Sequence, residues 1–316
     1  LTLNEAVTIT GASSAAADIT TANTNTTGVV TVNSTTITGS LAEVTTLYAA
    51  NTAGSVAGLG NEAITASGSL TVAQVNTLSG YTTGVLTATV SDNDMATLDG
   101  ITESGHALTI SVTDAVVVAA DLNALDARTT LPVAVSSTTI AGSAVDINNI
   151  YVANQVGNIV GLGNESLIIT DPNISASSLY TLDTNTTGIL NALAVTTITG
   201  SAAEISTIYA ASTAGQISGL GDETVTITDT TIDAALLITL DDFTSGLIDA
   251  SSINTLSGSD ADQATVRASS GISGLPSNMA ETNIISSLNI SVEVKNEQID
   301  LEGFNARKYL EKYSDL

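Results

Sequence analysis

Short runs in which β-branched and polar residues alternate recur along this chain, separated by segments whose apolar residues fall three and four positions apart. Thr224-Val225-Thr226-Ile227-Thr228 is one of the alternating runs. With β-branched side chains on both faces and turn residues at each end, it predicts a short strand. Leu41, Val44, Leu47 and Tyr48 have the other spacing, which places them on one face of a helix. That helix starts at Ser40, because a Ser hydroxyl and a Glu three residues on, here Glu43, can satisfy each other's free backbone N–H groups. Ser201 and Glu204 repeat the arrangement, and Ser143 and Asp146 are a shorter-armed version. Gly54, Gly157 and Gly215 supply the left-handed residue that commonly ends a helix. A second, shorter helix is predicted from the capping spacing of Thr71 and Gln74.

These signals belong to a repeat. The segments Thr35 to Thr89, Thr138 to Leu193 and Thr196 to Ser251 align almost without gaps. Each passes from a Gly-Ser pair (Gly39-Ser40, Gly142-Ser143, Gly200-Ser201) through Tyr48, Tyr151 or Tyr209 to a Gly-Leu-Gly-(Asn/Asp)-Glu turn ending at Glu62, Glu165 or Glu223. A diverged unit lies between Asp92 and Ser137, and Asn4 to Thr10 reads like Asp222 to Thr228. Thr-Thr-Gly or Thr-Ser-Gly recurs at Thr26 to Gly28, Thr82 to Gly84, Thr186 to Gly188 and Thr244 to Gly246. A strand, turn, strand and short helix every roughly 25–32 residues is a solenoid period. No such unit buries its apolar face alone, so neighbours must stack.

The expected fold is a mainly β repeat solenoid over residues 1–280: stacked coils of short parallel strands with a short capped helix per coil, a β-solenoid or α-β solenoid. About ten coils at about 4.8 Å each make a core roughly 50 Å long. A row of β-sandwiches offers no role for recurrent capped helices. Residues 281–316 are expected to be a separate strand and helix segment, a boundary or assembly element. The only basic residues before 295 are Arg128 and Arg267, whereas Lys295, Arg307, Lys308 and Lys312 follow within the last 22 positions.

Composition narrows the partners. With 6 basic against 32 acidic residues the formal charge is −26, which argues against nucleic acid, whose phosphates need Lys and Arg. A hydrophobic fraction of 43% still allows a core, but aromatics at 3% make it one of small aliphatic side chains in a narrow space. There is no Cys for disulfides or thiolate metal sites. The longest apolar runs, such as Ala115 to Ala120, fall far short of the roughly 18 residues that cross a bilayer, so no transmembrane segment is expected. A start at Leu1 without Met or a signal segment is read as a start inside a larger or processed product.

Catalytic chemistry is sparse. The single histidine, His106, stands beside Gly105 in the diverged unit and is read as a loop residue. No two carboxylates are singled out as an acid-base pair. The Gly-Leu-Gly turns lack the remaining glycine or Lys of a phosphate cradle and are read as tight corners needing positive φ.

Calcium is the candidate ligand, because hard oxygen donors suit it and an acidic field concentrates it. Asp92-Asn93-Asp94 begins like a calcium loop, although Ala96 and Thr97 follow where another donor and a Gly belong. Glu62, Glu165 and Glu223, the last with Asp222, recur after the turns and are either calcium ligands or a solvated polar edge. The same two readings apply to Asp229, Asp233, Asp241 and Asp242. Tyr48, Tyr151 and Tyr209 are either an exposed carbohydrate-binding ladder or helix-face core residues; their helical spacing favours the core.

Thr231 to Leu236, Gly246 to Leu256, and the C-terminal Tyr309-Leu310-Glu311-Lys312-Tyr313-Ser314-Asp315-Leu316 carry a resemblance. They are similar to tandem-repeat domains of very large secreted surface proteins, adhesin-like and surface-layer-like, of cyanobacteria and other marine bacteria. The resemblance implies an extracellular, cell-surface location and export without a cleaved N-terminal signal. It implies a non-enzymatic structural protein that self-associates into a filament, fibre or surface layer. The alternative is an adhesin or carbohydrate-binding stalk whose partner is cell-surface polysaccharide. The Gly-Gly-x-Gly-x-Asp calcium roll of such proteins is absent.

Overall fold

The computed structural model describes residues 4–276. Contacts divide the chain after Ser277, and the expected segment 281–316 lies outside the described residues.

Within residues 4–276 the repeat is a solenoid of parallel strands and short helices. Its helices are α1 (Ala16–Asn25), α2 (Leu41–Thr52), α3 (Val72–Ser79), α4 (Met95–Leu98), α5 (Ala119–Asp126), α6 (Ala144–Val156), α7 (Ala176–Asn185), α8 (Ala202–Thr213), α9 (Ala234–Asp241) and α10 (Asp260–Ala268). The predicted starts hold. Ser40 and Ser201 form full capping boxes with Glu43 and Glu204, Thr71 forms one with Gln74, and Ser143 accepts from Asp146 N–H. Gly54, Gly157 and Gly215 take φ of 81°, 84° and 81° where the long helices end.

Each long helix turns one apolar stripe inward: Val44, Leu47 and Tyr48 on α2, Ile147, Ile150 and Tyr151 on α6, Ile205, Ile208 and Tyr209 on α8. These meet columns of strand residues. Ile140, Leu167, Leu190 and Ile217 pair in succession across four coils and are at most 1% exposed. Burying each such side chain stabilises by about 1.5–3 kcal/mol relative to leaving it in water. Neighbouring helices contact each other along α1-α2-α3 and from α4 through α10.

The strands form five parallel sheets rather than one continuous ladder per face. The third sheet shows why. Its strands Val116–Val118, Thr139–Gly142, Ser166–Ile169, Leu190–Asn191 and Ile217–Ser218 end 0, 1, 6, 10 and 15 residues before the next helix. Paired residues Val117, Ile140, Leu167, Leu190 and Ile217 step by 23, 27, 23 and 27 positions. The starts of α5 to α9 step by 25, 32, 26 and 32. Two coils thus advance the pairing by 50 residues and the helices by 57 or 58. Each ladder recedes from the helix N-termini until it runs into the preceding helix, and a new one starts behind it. Coils are shortest at the entry to the diverged unit: the register steps 22 positions from Ile64 to Leu86 just before it and 20 from Thr87 to Ala107 into it, and α4 has four residues.

Candidate functional site

The recurrent Gly-Leu-Gly-(Asn/Asp)-Glu turn is the most elaborate polar feature of the array. Its first glycine, Gly58, Gly161 or Gly219, has φ of 90°, 99° or 82°. The same glycine lies against the previous coil, where a Cβ would come within 2.4 Å of the Val32 carbonyl, 2.2 Å of the Val135 carbonyl or 2.7 Å of Leu193 N. Both demands exclude any other residue. These turns are the tight corners expected.

The glutamates that close the turns do not form an edge. Glu62, Glu165 and Glu223 are 2%, 1% and 1% exposed. The carboxyl group of each folds back onto its own turn. Oε2 accepts from Gly60 N at 2.8 Å and Asn61 N at 3.1 Å, from Gly163 N at 2.8 Å and Asn164 N at 3.0 Å, and from Gly221 N at 2.8 Å and Asp222 N at 3.1 Å. Oε1 of Glu165 and Glu223 accepts from the hydroxyls of Tyr151 and Tyr209. Tyr48 and Glu62 occupy the same two positions one unit earlier, both buried, but the bond is not made there: the Tyr48 hydroxyl and Glu62 Oε1 have no hydrogen-bond partner. Burial and these glutamates push the Tyr151 and Tyr209 hydroxyls well above the usual phenol range. Tyr48 stacks on Tyr81 at 4.8 Å and Tyr209 on Phe243 at 5.1 Å. The tyrosines are therefore core residues with a buried polar tip, not a surface ladder.

The next coil locks this bracket from outside through the Thr-Thr-Gly motif. Thr82, Thr186 and Thr244 donate to the backbone carbonyls of Glu62, Glu165 and Glu223 at 2.5, 2.6 and 2.7 Å. The following Gly84, Gly188 and Gly246 pack so closely that a Cβ would stand 2.3, 2.2 and 2.2 Å from those oxygens. Thr26 and Gly28 make the same contact with Glu5.

Asp92, Asp94, Asp229 and Asp233 are helix N-terminal caps. Asp92 accepts from Val72 N at 2.7 Å, the first residue of α3 in the preceding coil. Asp114, Asp171 and Asp229 do the same for Met95, Ala144 and Ala202 at 2.8, 2.6 and 2.6 Å. Asp94 caps its own helix α4 through Thr97 N at 2.9 Å, and hydrogen bonding from the Thr97 side chain and then its backbone holds the Asp94 carboxyl below the usual range. Asp233 likewise accepts from Ala235 N. Carboxylates suit these positions because they meet the positive end of the helix dipole and its orphan N–H groups. Asp241 and Asp242 stand instead at the C-terminal end of α9, where Asp241 accepts from the Ser269 hydroxyl of the next coil. Among the described residues no three His, Cys, Asp or Glu side chains converge as cation ligands would, and the six calcium candidates are not brought together.

No family model, curated protein or solved structure matches this chain. His106, expected in a loop, lies just before the strand Ala107–Val112, outside the strands themselves, but it is 8% exposed and forms an isolated parallel bridge to Thr129. It stands where the column Ile37, Ile64, Leu86 continues, and its Nδ1 accepts from Leu86 N at 3.1 Å. Burial lowers its basicity, opposed by Glu103. Among the described residues, no helix is long and apolar enough to cross a membrane.

Proposed function

We propose that this chain is a non-enzymatic structural protein of the cell surface, which builds a filament, fibre or layer by association of its solenoid units. The observation that supports this reading is that the recurrent polar motifs attach one coil to the next. The Glu-Tyr bracket, the Thr-Gly lock and the inter-coil Asp cap each bind a coil to itself or its neighbour. A structure held only by nearest-neighbour contacts has no intrinsic length, and unpaired strand edges at its ends are templates for more of the same. Among the described residues, Val7–Ile9 and Ser13–Ala15 at one end and Thr255–Ser257 and Ile272–Ser273 at the other pair on one side only, as do the strands inside the array where one ladder gives way to the next. Calcium enters through charge rather than a built site: a −26 chain associates more readily when divalent cations screen it.

The test is negative-stain electron microscopy at about micromolar protein, first in millimolar calcium and then in excess chelator. Fibres or sheets are expected in calcium, thinning in chelator if screening is what calcium provides. Monodisperse short rods in both conditions overturn self-assembly and favour the adhesin reading, in which the polar face binds cell-surface polysaccharide.

A further inference from the structure

The repeats supply their own control for one surface feature. The three long helices α2, α6 and α8 align residue for residue from their capping serines, and their outward stripe lies 2, 6, 9 and 13 positions after the cap. In α2 and the residue after it the stripe is Ala42, Thr46, Ala49 and Ala53; in α8 it is Ala203, Thr207, Ala210 and Ala214. In α6 it is Val145, Asn149, Val152 and Val156. All three alanines have become valines, which are poorer helix formers and here point into solvent. They are 68%, 49% and 69% exposed. Nothing within the coil explains the exchange, since the inward residues Ile147, Ile150 and Tyr151 match those of the sister helices.

We propose that the outer face of α6 is a homotypic contact at which two copies of this chain pair side by side about a two-fold axis. It deepens the structural reading above and rests on it. Three observations select a second copy as the occupant. The first is charge: in a −26 chain the outward stripe of α6 carries none, as in α2 and α8, and the one acid of the helix, Asp146, is bonded to Ser143. Two such faces can meet without repulsion and, in α6 alone, valines give them apolar surface to bury, whereas a basic partner finds nothing to bind. The second is shape. Beside the valine ridge lies a groove of about 320 Å³ between α6 and α7, lined by Ala144, Val145, Asn148, Ser177, Thr181 and Leu182 and free of charge. A ridge and a groove on the same face are self-complementary, as an isologous contact requires. The third is area. The three valines offer roughly 300 Å² per copy, an apolar centre for a contact to which each partner of standard size gives ~800 Å².

The experiment is sedimentation velocity on the full chain across about 1–100 µM, with the triple variant Val145→Ala/Val152→Ala/Val156→Ala. That variant only restores the residues of α2 and α8, so its melting temperature is expected unchanged or raised. The wild type is expected to dimerise, and the variant to weaken the dimer at least tenfold. Leu193→Ala, which removes the most exposed apolar side chain elsewhere at 77%, is expected to leave it intact. A wild-type dimer that the triple variant does not weaken overturns the contact, as does a monomeric wild type. Fibres formed equally by wild type and variant overturn it while leaving the structural reading standing; dimers that never extend do the reverse.

Discussion

Replacing Glu165 by Ala removes the acceptor for three donors at once. Gly163 N and Asn164 N lose partners at 2.8 and 3.0 Å, and the Tyr151 hydroxyl is left in a site where its own residue is 3% exposed. The buried hydroxyl, left with the Thr186 side chain beside it, loses about 1–2 kcal/mol, and two turn amides that water partly reaches cost about 0.5–1 kcal/mol each. Deleting the side chain from a site that is 1% exposed adds about 1 kcal/mol of lost packing. The expected total is about 4 kcal/mol. Glu165→Gln keeps an acceptor for the amides and a group that can face the hydroxyl, so about 1 kcal/mol is expected. Glu103→Ala, an exposed control, should cost under about 0.5 kcal/mol.

Urea unfolding followed by circular dichroism at neutral pH gives these differences. Because an array of coils need not melt as one unit, native-state hydrogen exchange at the Gly163 and Asn164 amides should be read alongside. A Glu165→Ala protein within about 1 kcal/mol of wild type, or one no worse than Glu165→Gln, would refute the bracket as a stabilising element.

Three further outcomes follow from the geometry. Gly188→Ala places a Cβ 2.2 Å from the Glu165 carbonyl and should cost about 3 kcal/mol, whereas Gly157→Ala, at φ 84° with open space around it, should cost only about 1–2 kcal/mol; equal thermal shifts would contradict this. His106 binds its proton less readily folded than unfolded, so the unfolded chain takes up more protons and stability should fall as pH drops below 6.5, the ordinary value; the window is separate from that of the capping carboxylates of Glu43 and Glu204, which lies below 4.5. Melting temperatures of His106→Leu should lose that slope between pH 5 and 6.5, and an unchanged slope would exclude the histidine. Tyr151 and Tyr209 keep their protons above the usual phenol range, so stability should decline as pH rises past 10, and the Tyr151→Phe/Tyr209→Phe protein should decline less.

How much of this was legible depends on the range of the interaction. Helix starts at Ser40, Ser143, Ser201 and Thr71 are local, three residues deep, and could be read directly. So could the glycine corners, because only a left-handed residue ends those turns. The buried glutamates were misread because Gly, Asn and Glu together look like an exposed turn; the signal lay in the constant 14-residue interval from Tyr48 to Glu62, Tyr151 to Glu165 and Tyr209 to Glu223. The inter-coil caps also had a signal, a Ser or Thr followed by Asp after a strand, at Ser91-Asp92, Thr113-Asp114, Thr170-Asp171 and Thr228-Asp229. The division into several sheets had none. It arises from the mismatch between the steps of strand pairing and of helix starts, and pairing register is set by neighbours rather than by any single coil.

The same chemistry explains how a chain so poor in Lys and Arg tolerates its acids. Backbone N–H groups stand in for cations: the first residues of α3, α4, α6 and α8 meet aspartates of the next coil, and the turns meet their own glutamates. These bonds act over one contact and are satisfied within the coil stack. The charge they leave unneutralised acts over about a Debye length, roughly 8 Å at physiological salt. Attraction between copies must therefore be short-ranged and apolar, and repulsion governs every face except one that carries little charge. The outward stripes of α2, α6 and α8 are all uncharged, and among them α6, with its valines in place of alanines, also meets the apolar condition, which makes lateral register between copies a consequence of those valines.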